Sequence, residues 1–135
     1  MLSRIFGHAD VLEKGLDVTA LRMEVASQNV ANVDTPGYDR KRVEFESAFS
    51  KALNGRAFPT KTTRAKHFEF SQTDPMKVKP NVVSDVHYVK RMDDNNVDID
   101  VEMIEMAKNT IQYNTLVQKA NKEFARLKLA IREGR

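Results

Sequence analysis

The chain has 135 residues, 41% of them apolar and 30% charged, with a formal net charge of +3, no cysteine and no tryptophan. That length holds one domain at most, or one small domain with extended parts, and the low aromatic content argues against a large conventional core. Without cysteine there is no disulfide framework and no thiolate chemistry.

No run approaches the ~18–20 apolar residues of a membrane span, so no direct span is expected. The first ten residues lack a continuous apolar stretch and carry charge early, unlike a Sec-type signal peptide. The expectation is a chain made and kept in the cytoplasm unless another export route exists. Residues 1–55 hold 7 Lys/Arg against 8 Asp/Glu, residues 56–91 hold 8 against 3, and residues 92–135 hold 7 against 8. The basic excess therefore sits in the middle, not on one element with stacking aromatics, so a solvated basic loop is expected and no nucleic-acid partner.

The first predicted element is a helix over residues 9–32. Ala9, Leu12, Leu16, Thr19, Met23, Ala26 and Val30 recur at alternating spacings of three and four, a heptad face. Gly15 is a small internal penalty of about 1 kcal/mol against alanine. Asn32 is expected to close the helix in the left-handed conformation. Pro36 lacks an amide hydrogen and pushes Thr35 into extended backbone. Pro36-Gly37 is a turn pair, and Tyr38 follows with a ring and a hydroxyl that can pin the turn.

A short helix is predicted from Val43 or Glu44 to Leu53, with Phe45, Phe49, Ala52 and Leu53 on one face and Asn54-Gly55 at its end. Arg40-Lys41-Arg42 ahead of it reads as a solvated loop. Residues 56–96 lose periodicity at Pro59, Pro75 and Pro80, with at most one small β hairpin from Val82-Val83 and Val86-His87-Tyr88-Val89. The last element, from Asp98 or Asp100 to Arg132, is a longer helix. Its seam reads Met103, Met106, Thr110, Tyr113, Val117, Ala120, Phe124, Leu127 and Ile131. Asp98, Asp100, Glu102 and Glu105 stand at its start and Lys128 and Arg132 at its end, favouring the helix dipole.

The fold expected is mainly α. Long N- and C-terminal heptad helices pair as a coiled coil around an irregular middle segment with a short helix. The organisation is residues 1–38 (helix and turn), 39–96 (middle) and 97–135 (C-terminal helix). One such helix pair is marginal alone, and its wide apolar faces point to assembly with further copies or relatives. The assembly positions are Leu12, Leu16, Met23, Val30, Met103, Met106, Tyr113, Val117, Phe124, Leu127 and Ile131.

No catalytic constellation is present. His8, His67 and His87 are far apart, and there is no HExxH, no P-loop and no GxGxxG. No cofactor or metal is expected, and an enzyme is the least favoured class. Asp93-Asp94 and Asp98-Ile99-Asp100 read as a polar loop and helix-start acids.

The stretch Ser27-Gln28-Asn29-Val30-Ala31-Asn32-Val33-Asp34-Thr35-Pro36-Gly37-Tyr38 resembles the N-terminal signature of bacterial flagellar rod and hook proteins, an Ala- and Asn-rich helix end followed by Thr-Pro-Gly-Tyr. Its motif positions are Asn29, Asn32, Thr35, Pro36, Gly37 and Tyr38. Arg42-Val43-Glu44-Phe45 and the short length are similar to the proximal rod members of that family. Asn95-Asn96-Val97-Asp98 is similar to the family's lead into its C-terminal helix. The resemblance covers residues 9–53 and 95–132.

It implies a structural subunit whose terminal helices build the axial drive shaft of the rod, transmitting torque for motility. It implies partners in other copies, the other proximal rod subunit, the rod-to-ring adaptor and the flagellar type III export apparatus. Export would proceed unfolded, without a cleaved signal, to the basal body outside the cytoplasmic membrane. Phe45 and Phe49 fit the Phe-x-x-x-apolar export motif ascribed to such substrates, and inward packing of the helix face explains them equally. The rivals are another axial subunit of the rod and hook family, a soluble helical-hairpin binding module, and a nucleic-acid binder using residues 56–91.

Overall fold

The computed structural model describes residues 2–55, 74–85 and 91–133. Helix α1 (Leu2–Ala31) is followed by strand β1 (Lys41–Glu44) and helix α2 (Glu46–Gly55). A single 3-10 turn (Pro75–Lys77), strand β2 (Asn81–Ser84) and helix α3 (Ile99–Glu133) complete the described elements. The chain is mainly helical, with long terminal helices as expected. α1 begins at Leu2, well ahead of Ala9. Gly7 does not stop it, because one glycine costs a helix only about 1 kcal/mol.

β1 and β2 form a two-stranded antiparallel sheet. Val82-Val83 is in a strand as predicted, but its partner is Lys41–Glu44. The expected partner, residues 86–89, lies outside the described residues. Arg40-Lys41-Arg42 is thus not a free loop: Lys41 and Arg42 are in β1, and the Arg40 carbonyl accepts from the Asp85 amide at 2.8 Å. The strand also delays α2, which begins at Glu46, not at Val43 or Glu44.

The described chain forms two compact units, Met1–Val43 with Val82–Arg135, and Glu44–Asn81. In the second, Phe45, Ala52, Pro75 and Val78 are buried. The Phe45 and Phe49 rings stack at 5.0 Å between centroids. Asp74 caps the 3-10 turn, its Oδ1 accepting from the Met76 amide at 3.0 Å.

The first unit is held by α1 packing along α3. Gly15 has a use here that its propensity hides. A Cβ on it would lie 3.3 Å from Leu116 Cδ1, so the missing side chain makes room for Leu116 of α3. Thr19, buried at this interface, donates back to the Gly15 and Leu16 carbonyls at 2.9 and 3.0 Å, which satisfies its hydroxyl within the helix. Among the described residues of this unit the buried apolar side chains are Val18, Val25, Ala26 and Val97. The buried polar ones are Thr19, Asn29, Asp85, Asn95, Asn96, Glu102 and Asn109. So much buried polarity demands hydrogen-bond partners, and those partners are concentrated where α1 ends and α3 begins.

Candidate assembly site: the helix junction and the open faces of α3

α1 ends without the expected left-handed Asn32. The positive-φ residues described are Asp94 and Gly37. Asn32 instead closes the helix with its side chain, Nδ2 donating to the Gln28 carbonyl at 2.7 Å. Thr35-Pro36-Gly37-Tyr38 then turns the chain, with the Tyr38 amide donating to the Thr35 carbonyl at 3.3 Å and Gly37 at φ +71°. Proline second and a positive φ third is the pattern of a type II turn. Space around Gly37 is open, so it is the backbone conformation, not crowding, that favours glycine there.

Asn95 fastens this turn to the start of α3. Its Nδ2 lies 2.9, 3.0 and 2.8 Å from the carbonyls of Asn32, Val33 and Thr35. Its Oδ1 accepts from the Val97 amide at 2.8 Å. A side chain more than sixty positions away thus serves as the C-terminal cap of α1. Asn96 joins the neighbouring strand. Its Oδ1 accepts from the Arg40 amide at 2.6 Å and its Nδ2 donates to the Asp85 carbonyl at 2.8 Å. Asp98 then caps α3, its Oδ1 accepting from the Asp100 amide at 2.9 Å, the usual duty of Asp at that position.

Asn29 is 1% exposed and uses all of its hydrogen-bonding capacity. Nδ2 donates to the Lys41 carbonyl at 2.8 Å and to Glu102 Oε2 at 3.0 Å. Oδ1 accepts from the Lys41 amide at 3.0 Å and from the Tyr38 hydroxyl at 3.2 Å. Glu102, also 1% exposed, takes the Arg40 Nε on its other oxygen. Arg40 Nη1 donates to Asp85 Oδ2 at 3.0 Å, and Arg42 Nε approaches the same oxygen at 3.8 Å. Glu102 is therefore a buried ion-pair partner, beyond its placement as a helix-start acid. Arg40 is half-buried between two carboxylates, not solvated.

Burial, and then the negative charge of Glu102, push the Tyr38 hydroxyl above its ordinary value of 10.0. The folded junction thus keeps this proton where the unfolded chain begins to lose it. The stabilisation is intact below pH about 10 and is lost as pH rises through the raised folded value. Urea midpoints measured from pH 8 to 11 should fall more steeply for the native chain than for Tyr38→Phe. Equal slopes would refute this placement of the hydroxyl.

The predicted assembly residues lie outside this polar junction. Leu12, Leu16, Met23 and Val30 are half-buried on α1, as are Met106, Tyr113, Val117 and Leu127 on α3. Met103, Phe124 and Ile131 are exposed at 53%, 61% and 72%. Ile104, Ile111 and Leu129 are exposed as well. At 100° per residue these last three fall on the side of α3 opposite Glu102, Asn109 and Tyr113. Sequence reasoning missed Asn95, Asn96, Arg40, Glu102 and Asp85 as a connected set. The available signal was two asparagines directly before an otherwise apolar-faced helix. Among the described residues no group of acids and histidines could hold a metal ion, and no helix is long and apolar enough to cross a membrane.

Residues 10–38, which hold most of α1 and the whole turn, match the family described as flagella basal body rod protein. The chain is 33% identical over 134 residues to the flagellar basal body rod protein FlgB of Bacillus subtilis, covering 99% of this chain and 100% of that one. It is 33% identical to the FlgB protein of Borrelia hermsii over 127 residues, 91% of this chain and 94% of that one. It is 32% identical to that of Yersinia enterocolitica over 120 residues, 85% and 86% of the two chains. These are structural proteins of the flagellum, not an enzyme family. Similarity along nearly the whole length, with the Thr-Pro-Gly-Tyr turn inside the matched segment, shows that the chain belongs to the flagellar basal body rod protein family, with the FlgB proteins, as a structural subunit that assembles with other rod components in the basal body.

Proposed function

We propose that the terminal helices are the polymerising element, and that neighbouring subunits cover the faces of α3 that α1 leaves open. The observation that carries this is the exposure of Met103, Ile104, Ile111, Phe124, Leu129 and Ile131 along one helix. Ile104, Ile111 and Leu129 stand on one side of α3 and Phe124 and Ile131 on the other, so the helix offers apolar groups to more than one neighbour, and exposed apolar surface marks interaction sites. The subunit acts in the proximal rod as part of the drive shaft that passes torque outward. Its neighbours are the other proximal rod subunit and the rod-to-ring adaptor. It leaves the cell through the flagellar type III apparatus without a cleaved signal. In the fold Phe45 is 8% exposed and stacked on Phe49, so an export machinery reading Phe45 and Phe49 would read an unfolded chain.

In a strain lacking the native gene, Val117→Asp and Phe124→Asp should abolish swimming and leave no rods in purified basal bodies, with expression unchanged. A charge at either place must be desolvated for helices to pack, at a cost of several kcal/mol. Phe124 is already exposed in the single chain, so its replacement spares the subunit's own fold. Rods of normal number in the Phe124→Asp strain would sink the assignment.

A further inference from the structure

We propose that copies of this chain contact one another head to tail, with Met92 of one copy seated in the apolar groove between α1 and α3 of the next. This rests on the reading that the chain polymerises, and it assigns the two surfaces that meet. The groove lies at the end of the helix pair remote from the junction, between Leu12 and Leu16 of α1 and Ala120, Phe124 and Leu127 of α3. Its volume is about 260 Å³, below the ~300–1,000 Å³ of typical small-molecule sites. It is mainly apolar. Its apolar lining of Leu12, Leu16, Ala120, Phe124 and Leu127 suits an apolar side chain. Beside it a second hollow of about 360 Å³ is lined by His8, Lys119, Lys122 and Arg126. Lys119 and Lys122 are exposed, and Arg126 pairs with Glu123 at 3.0 Å.

The opposite end of the same unit carries the matching shape. Met92 has a relative exposure of 109%, so its thioether stands clear of its own chain. It does so on a braced turn. The Arg91 amide donates to the Asn95 carbonyl at 2.8 Å, the Asp94 amide to the Arg91 carbonyl at 3.0 Å, and the Gly37 amide to the Asp93 carbonyl at 2.8 Å. Asp94 adopts φ +62° to close it. A flexible thioether on a fixed turn adapts to an irregular groove, and docking orders only that one side chain.

Charge decides the occupant. Residues 91–100 contain four Asp and one Arg. Residues 119–132 contain five Lys/Arg and one Glu, and residues 8–17 of α1 beside them three acids and one Lys. The groove-bearing end thus stays net basic through the hollow lined by Lys119, Lys122 and Arg126, although Glu13 and Glu123 line the groove itself. Two copies meeting by their like ends would repel. A copy presenting its acidic turn to the basic, groove-bearing end of another is attracted and correctly oriented. Such a contact joins two different surfaces, so it does not close on itself in a pair and propagates into an open line or helix.

The chain has no cysteine of its own, which makes the test direct. Met92→Cys and Ala120→Cys are purified as single variants and shown to be helical by circular dichroism. They are then mixed and mildly oxidised. The mixture should yield a cross-link between the two variants in excess of either homodimer, and the double variant should yield a ladder of linked copies. High salt should reduce the yield by screening the ends. Asp93→Lys with Asp94→Lys, added to the Met92→Cys chain, should cut it about tenfold. Homodimers alone from the mixture, a double variant that stops at a closed dimer, or a yield indifferent to the charge reversal would overturn the proposal. So would basal bodies in which Met92→Cys links to a different rod subunit. Absence of the cross-link while the native chain still restores rods removes this contact and leaves the rod reading standing. A strain that builds rods without the chain removes the rod reading alone.

Discussion

Asn29→Asp is expected to unfold the helix junction at neutral pH and to recover part of the lost stability in acid. The substitution changes almost no volume. It replaces an amide donating to Glu102 Oε2 at 3.0 Å with a carboxylate at the same place, in a site 1% exposed. Two unit charges 4 Å apart repel by about 4 kcal/mol at an effective dielectric constant of 20. The variant also loses the donor to the Lys41 carbonyl. Total stabilities of about 5–15 kcal/mol leave little margin for such a loss. The sign with pH follows from proton uptake. The folded variant holds a proton between the facing carboxylates that the unfolded chain has released, so its stability falls as pH rises and returns as pH drops. Asn29→Ala is the control. It strands buried partners at about 1–3 kcal/mol each but introduces no charge, so it should lack the acid recovery. Urea midpoints at pH 4.5 and 7 separate the two. A native-like midpoint for Asn29→Asp at pH 7 would show that the amide does not face Glu102.

What could be read from the chain alone was what is local. The periodic spacing of Leu12, Leu16, Met23 and Val30 gave α1, and Pro36-Gly37 marked its stop. The acids before Met103 marked the start of α3. Nothing local says that Asn95 serves the carbonyls of Asn32, Val33 and Thr35, because asparagine in a polar run is also what an ordinary loop contains. Arg40 looked solvated for the same reason: its partners, Asp85 and Glu102, are 45 and 62 positions away. β1 was hidden because Lys41–Glu44 has a single β-branched residue among charges, and its pairing is with a distant strand.

The seam of α3 shows a subtler limit. A strict seven-residue repeat drifts by about 20° per heptad on a straight helix. Counted at 100° per residue, Met103 starts well off the Glu102 face and the drift carries the later positions toward it, so that Phe124 lines a groove with Leu12 and Leu16 of α1. At Met103 the inward place is already taken by Glu102. The two stretches that carry the family resemblance turn out to be two halves of one polar joint. The turn after α1 and the Asn-Asn-Val-Asp before α3 are bound to each other, side chain to backbone. That joint sets how the terminal helices leave it, while the apolar faces beyond it remain open for neighbours.

Glu102→Leu alone should cost about 3–5 kcal/mol, since it leaves the half-buried Arg40 cation without its most buried partner and Asn29 without an acceptor. Arg40→Met in the same chain should return part of that loss. It removes the cation that faced Glu102, but it also takes the 3.0 Å partner from the buried Asp85, which keeps Arg42 at 3.8 Å. Apolar replacement of a whole buried pair is often close to neutral, and residues in direct contact are where additivity fails. Urea unfolding of the two single variants and the double variant gives the coupling. A double variant no better than the worse single would mean that the ion pairs contribute more than they cost in desolvation. The same strains tested for swimming address a different question. The apolar core between α1 and α3 is thin and Gly15 leaves the helices close. The directional bonds of Arg40, Glu102 and Asn29 are therefore the features that fix the register of one helix against the other, as single buried polar residues do in coiled coils. On that argument the double variant regains part of its stability but not motility, because helices free to slide present Phe124 and its neighbours out of register to the next subunit. Swimming restored together with stability would mean that the apolar faces find their register without the polar joint.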